Sequence, residues 1–204
     1  VEEIATPYYM FKEVGYEVII ASTNGGAIPI DAGSMAEGFL TQPCKKFLHD
    51  ANAVGQLSHS VKLDTLSFPG DVDLLYMPGG HGACVDFINN PSLKKAIEDM
   101  YNAGKLVSTV CHGPMCLIDC TKADGSPLVK GLEVTGFADS EEEAVGKVAD
   151  VPFLLESKLK ELGGDYEKGA DWNSKVCVDG NLITGQNPQS SGAAAVAAIA
   201  ALSA

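Results

Sequence analysis

The sequence predicts an α/β fold with a mainly parallel sheet covered on both faces. Short apolar runs alternate with stretches of helical pattern along the chain, the arrangement that parallel strands joined by crossover helices require. The runs are cut off by Gly and Pro clusters. No internal repeat and no low-complexity linker interrupts the 204 residues, so one domain over 1–204 is the simplest organisation.

The elements follow in order. A helix is expected over 7–14, with Pro7 in its first turn and Gly15 closing it. The β-branched run 16–22 reads as a strand and Asn24-Gly25-Gly26 as a turn. Residues 27–62 are weakly patterned, with a helical stretch near 45–53, and read as an excursion covering one sheet edge. A strand over 73–77 is broken by Pro78-Gly79-Gly80-His81-Gly82. A helix follows over 92–103, with Ser92 as N-cap and Gly104 as stop. The strand 105–110 runs into the turn Cys111-His112-Gly113-Pro114 and a helix over 115–122. A strand over 134–137 and a helix over 152–162 come next. The strands 175–178 and 181–184 then flank Asp179-Gly180, a strong hairpin signal, and an Ala-rich closing helix starts near Ser190.

Composition narrows the function. Hydrophobic residues make up 46% and charged residues 20%, an ordinary globular balance. The net charge of −13 repels phosphate backbones and anionic lipid, which argues against nucleic-acid and membrane partners. No apolar run is long enough to cross a bilayer and no signal peptide is evident. The six cysteines have neither disulfide-framework nor metal-finger spacing, so a reducing, cytoplasmic compartment is expected.

The chemistry gathers around Cys111. An apolar strand running into Cys and then a helix has the layout of a nucleophile elbow, although Thr109 stands where such elbows carry their first glycine. A helix N-terminus beside the sulfur favours thiolate, and the His112 imidazole can move protons near neutral pH. A buried structural cysteine fits this segment alone about as well. Consecutive glycines at 79 and 80 let backbone N–H groups face a site, so the N–H groups of Gly80 and His112, with Gly79 as a further donor, are candidates for an oxyanion hole. His81 and Trp172 are candidates for the pocket wall. Glu2-Glu3 offers a carboxylate near the N-terminus. Ser140-Glu-Glu-Glu143 reads as a helix N-terminus with acids set against the dipole. His49 and His59, with Asp50, read as surface residues rather than metal ligands.

Together these segments resemble the ThiJ/PfpI (DJ-one-like) superfamily, most closely its branch of glyoxalase III enzymes and heat-inducible chaperones. The landmarks are Glu3-Ile-Ala-Thr-Pro-Tyr8, Gly15-Tyr-Glu-Val18, Pro78-Gly-Gly-His-Gly82, Val110-Cys-His-Gly-Pro114, Asp139-Ser-Glu-Glu-Glu143 and Thr184-Gly-Gln-Asn-Pro188. The resemblance implies a flavodoxin-like three-layer sandwich with a small hairpin near the C-terminus. The family's first strand is expected upstream of residue 1. It also implies a Cys111–His112–Glu3 site without metal or organic cofactor, with Glu3 chosen over Glu2 by its spacing to Pro7. The implied activity is conversion of a small dicarbonyl, methylglyoxal, to lactate without glutathione. Alternatives are a holdase chaperone with unfolded protein clients and a cysteine redox sensor. A homodimer is implied as well. The related glutaminases need a His and a Glu downstream of the Cys in H-x-E spacing, and no histidine follows residue 112, which argues against glutamine hydrolysis.

Overall fold

A computed structural model describes all residues 1–204, which divide into two compact units, 1–67 and 68–204. The first unit opens with helix α1 (Glu2–Glu13). The helix starts five residues earlier than the sequence suggests, because the carbonyl of Val1 already accepts from the N–H of Ala5 at 2.9 Å. Pro7 therefore lies in the helix interior rather than its first turn, and Gly15 turns the chain away at φ +90°. Strand β1 (Ala21–Ser22) is only the end of the expected run. The excursion that follows holds two short helices, α2 (Gln42–His49) and α3 (Ala51–Ser58), capped by Thr41 and Asp50. Strand β2 (Val61–Lys62) pairs parallel with β1. Tyr8, Tyr9 and Phe47 meet edge-on at 5.2–6.3 Å in the core of this unit.

The second unit starts with β3 (Leu74–Met77), then α4 (Ala83–Asp86) and α5 (Pro91–Asn102). The N-cap of α5 is Asn90, not Ser92: its side chain accepts from the N–H of Leu93 at 3.0 Å, and Pro91 opens the first turn. Strand β4 (Leu106–Val110) is buried at all five residues, so both of its faces are covered. After it come β5 (Glu133–Val134), α6 (Asp139–Ala144), α7 (Leu155–Glu161), β6 (Asp165–Tyr166), β7 (Val176–Asp179), β8 (Leu182–Gly185) and α8 (Ser191–Leu202).

The main sheet has the order β3-β4-β8-β7, with β3, β4 and β8 parallel. β7 and β8 form the antiparallel hairpin, turned at Gly180 with φ +57°. Helix α8 lays Ala194, Ala195 and Ala198 on the sheet, where small side chains permit a close approach. Parallel strands deliver their C-terminal ends to one edge of the sheet, and it is there that β3 and β4 release His81 and Cys111.

Candidate active site

Cys111 leaves β4 with φ +59°, in the left-handed region that a residue with a Cβ seldom adopts. Such a conformation costs about 1–3 kcal/mol and persists only where its surroundings impose it. Here the N–H of Cys111 donates to the carbonyl of Gly185, and its own carbonyl accepts from the N–H of Phe137, both at 2.9 Å. Gly113 completes the turn. A Cβ at that position would stand 2.2 Å from Thr109 Oγ1 and 2.4 Å from the Met77 carbonyl oxygen. The glycine this elbow demands therefore follows the cysteine, and Thr109 fills the space where an earlier one would lie. The helix expected over 115–122 is instead a single 3₁₀ segment, Gly113–Leu117. So short a segment develops little macrodipole to act on the sulfur.

The imidazole beside the sulfur is held from its far side. His112 is fully buried, with Nδ1 3.5 Å from Cys111 Sγ and Nε2 2.6 Å from Glu142 Oε2. The other oxygen of Glu142, Oε1, lies 2.7 Å from His81 Nε2. Burial holds the His112 pKa below the usual histidine value, outweighing the bond to Glu142, which favours the charged ring. Burial also works to raise Glu142, but the two imidazole bonds overcome it and keep the carboxyl below its ordinary range. The resting state is thus a neutral His112 beside an ionised Glu142. An ionised carboxylate only accepts, so Nε2 of His112 carries the proton and Nδ1 presents its lone pair to the thiol. The donor atoms of His81, His112 and Glu142 lie within 4.8 Å of one another, so these three residues are the ones able to hold a divalent ion.

Glu142 is the functional residue that the sequence reading missed. The acids expected at a helix N-terminus do lie in the first turn of α6, and Glu141 and Glu142 are in addition buried, at 0% and 3% exposure. Glu141 accepts from the N–H of Ala138 at 3.0 Å and from Trp172 N–H and Asn187 Nδ2, each at 2.8 Å. It ties the start of α6 to the Trp172 loop while its neighbour faces the site. The available signal was Asp139-Ser-Glu-Glu-Glu143, a landmark that names the segment without saying which acid turns inward.

The remaining candidates fall out as follows. Gly80 takes φ +60° directly after β3, with open space where a Cβ would be, and Gly79 precedes it. His81 stacks on His112 with ring centres 4.1 Å apart. Phe137 lies 4.4 Å from His112 and 5.8 Å from Trp172, so the tryptophan is one ring removed from the histidine. Glu3 lies in the first turn of α1, part-buried. Glu2 is engaged within its own unit, accepting from Thr6 Oγ1 at 2.6 Å, from Cys44 Sγ at 3.2 Å, and from Thr41. His49 bonds the Lys45 carbonyl on the surface of α2. Burial pushes the thiols of Cys84 up to about 11 and of Cys120 and Cys177 up to about 12, and raises Cys44 and Cys116 as well. Among the six cysteines, only Cys111 has an imidazole nitrogen within bonding range.

A family profile, the DJ-1/PfpI family, matches residues 2–201. The chain belongs to the DJ-1/PfpI family. Its fold is accordingly the flavodoxin-like α/β type. Glyoxalase 3 of Candida albicans is 32% identical over 202 residues, covering 93% of this chain and 83% of that protein. The glutathione-independent glyoxalase HSP31 of Saccharomyces cerevisiae is 30% identical, covering 99% and 88%. The crystal structure of glyoxalase III from Candida albicans superposes with a TM-score of 0.90 at 30% identity, over 98% of this chain and 86% of that one. No helix of the protein is long and apolar enough to cross a membrane.

Proposed function

We propose that this DJ-1/PfpI protein is a glutathione-independent glyoxalase that converts methylglyoxal to lactate through Cys111, as one continuous family domain. The observation that carries this reading is the buried series Cys111 Sγ, His112 Nδ1, His112 Nε2 and Glu142 Oε2, in a chain similar along nearly its whole length to glyoxalases that need no glutathione.

The chemistry balances without an external oxidant or reductant. His112 Nδ1 takes the thiol proton, and Glu142 stabilises the imidazolium that forms. The thiolate adds to the aldehyde carbon, giving a hemithioacetal. Its oxygen rests on the N–H groups of Gly80 and His112, where each donor contributes about 3 kcal/mol to the transition state. The proton on that carbon leaves to give an enediol and returns to the neighbouring carbon, so the first carbon is oxidised and the second reduced. Glu3, assigned to the site by resemblance, or His112 carries this proton. Water then cleaves the thioester to lactate and restores the thiol. Cys111 takes the part that glutathione plays elsewhere. A homodimer, also implied by resemblance, completes the proposal and is checked by sedimentation.

The test is lactate production from methylglyoxal by pure protein without added thiol, with Cys111→Ala as the control. Lactate from the parent protein alone is the expected result. No lactate from a folded, reduced parent sinks the assignment.

A further inference from the structure

We propose that His81, His112 and Glu142 form a binding site for a divalent transition-metal ion of the zinc class. An ion held there switches the protein off by occupying the nitrogen through which Glu142 holds His112. The binding stands on geometry; the inhibition rests on Cys111 and His112 being the reacting pair of the proposed function. That chemistry uses one imidazole on the carboxylate and gives the second, His81, no task.

The three residues have the composition of such a site. Two imidazoles and one carboxylate suit zinc and its first-row neighbours, whereas magnesium and calcium take shells of oxygens. They also have the placement. Nε2 of His81 lies 2.7 Å from Oε1 of Glu142, and Nε2 of His112 lies 2.6 Å from Oε2. All the donor atoms lie within 4.8 Å of one another. The ligands come from the turn after β3, the turn after β4 and helix α6, so the fold brings them together.

The site can adjust to an ion. Ligands bonded to one tetrahedral zinc at about 2.0–2.2 Å stand about 3.3–3.5 Å apart, so each imidazole must part from its oxygen by about 0.7 Å. His112 is fully enclosed, but the His81 side chain is 38% exposed and can draw back, and Glu142, bonded to it through Oε1, can follow. The same exposure gives the ion an entry path and water for a fourth position. Phe137, with its ring 4.4 Å from His112 and 6.2 Å from His81, supplies an apolar wall. A metal-bound imidazole usually donates its other N–H to a fixed partner, and Nδ1 of His112 has the Cys111 sulfur 3.5 Å away.

That last contact couples the ion to the reaction. Without metal, Nε2 of His112 carries the proton of the ring and Nδ1 is bare toward the thiol. A metal takes the Nε2 lone pair, so the proton moves to Nδ1 and the ring stays neutral. Nδ1 then points a donor at the sulfur and cannot accept the thiol proton. Coordination removes the base without touching Cys111.

The experiment uses the intact, reduced protein, with zinc or cobalt(II) as the added ion. The parent should take up zinc in competition with a zinc-responsive dye. Cobalt(II) should give visible bands without a sulfur-to-cobalt charge-transfer band. His81→Phe and Glu142→Gln each remove a ligand and should weaken zinc binding at least about 100-fold, the upper range for losing even an outer-shell partner. Cys111→Ala and Cys84→Ser should bind zinc as the parent does. Stoichiometric zinc should stop lactate formation by the parent, a chelator should restore it, and magnesium should do neither. A parent that takes up no zinc overturns the proposal without any variant, so a variant that fails to fold does not shelter it. A charge-transfer band, binding lost in Cys111→Ala, or parent affinity in a folded His81→Phe protein overturns the site. Zinc bound by these three residues with the parent rate unchanged overturns the switch. The binding readout does not use methylglyoxal. A parent that binds zinc here and makes no lactate counts against the glyoxalase reading alone, while one that makes lactate and binds no zinc counts against this proposal alone.

Discussion

Replacing Glu142 by Gln tests the acid–base arrangement with the least disturbance of shape. The carboxylate accepts one N–H at each oxygen, from His112 at 2.6 Å and from His81 at 2.7 Å. An amide has one accepting oxygen and one donating NH₂, so it cannot satisfy both rings in their present tautomers. If His81 yields, His112 keeps its orientation and loses only the charge on its partner. A charge-assisted hydrogen bond of about 1.5–3 kcal/mol corresponds to about a 10- to 150-fold loss in kcat. If His112 yields, its Nδ1 becomes a donor, and the loss approaches the ~10⁴-fold seen when a triad carboxylate becomes an amide. The pH profile separates this from general damage. His112 must be neutral to act as base, so activity falls as pH drops through its pKa. Burial already holds that pKa below the ordinary 6.5, and the Glu142 carboxylate works against burial. Removing the carboxylate lowers it further, so the acid limb of kcat should move to lower pH while the plateau falls. Initial rates of lactate formation from pH 5 to 8 read both. An unchanged plateau, or an acid limb moved to higher pH, refutes the reasoning.

The other expectations concern the elbow, the thiols, the Trp172 loop and acid stability. Gly113→Ala forces a Cβ to within 2.4 Å of a backbone oxygen, so activity should be lost and stability should fall by about 1–3 kcal/mol in denaturant titrations. Limiting iodoacetamide at neutral pH should label Cys111 well ahead of the part-exposed Cys84, whose thiol is pushed up to about 11; peptide mass mapping decides the order. Glu141→Ala removes a buried acceptor from three N–H groups, and the sole tryptophan, Trp172, should shift its emission to the red as its loop loosens. The His112 pKa lies lower in the folded than in the unfolded chain, so the unfolded state takes up a proton first as pH falls. Stability should be level in this respect above about 6.5 and decline below it, and His112→Gln should flatten that part of the Tm profile.

The sequence discloses the parts of this molecule where local chemistry and tertiary structure agree. β4 reads as a strand because its apolar, β-branched residues are buried on both faces, and the hairpin reads clearly because Asp179-Gly180 supplies the left-handed turn. β1 and β5 are shorter than their apolar runs suggest, since pairing, and not propensity, decides where a ladder ends. The segment after Cys111 carries a helical pattern but stays a 3₁₀ turn. Gly113 must pass hard against Met77 and Thr109, which fixes the backbone more tightly than propensity does. Cys111 and His112 were legible because they are adjacent in sequence at a recognisable turn. Glu142 was not, because it comes from 30 residues further along, in a run of three acids whose facing depends on how α6 packs. The same applies to His81: the motif announces a residue beside the glycines, and only the fold shows that it shares a carboxylate with His112.

The most direct test of catalysis through Cys111 is to quench the protein in acid during turnover with carbon-13-labelled methylglyoxal and map its peptides by mass. The expected result is a label of one methylglyoxal on the Cys111 peptide, present in the parent during turnover and gone once substrate is exhausted. Cys111→Ala should show neither the label nor lactate. Lactate formed at the parent rate by Cys111→Ala, or a turnover-dependent label on a different cysteine, would contradict it.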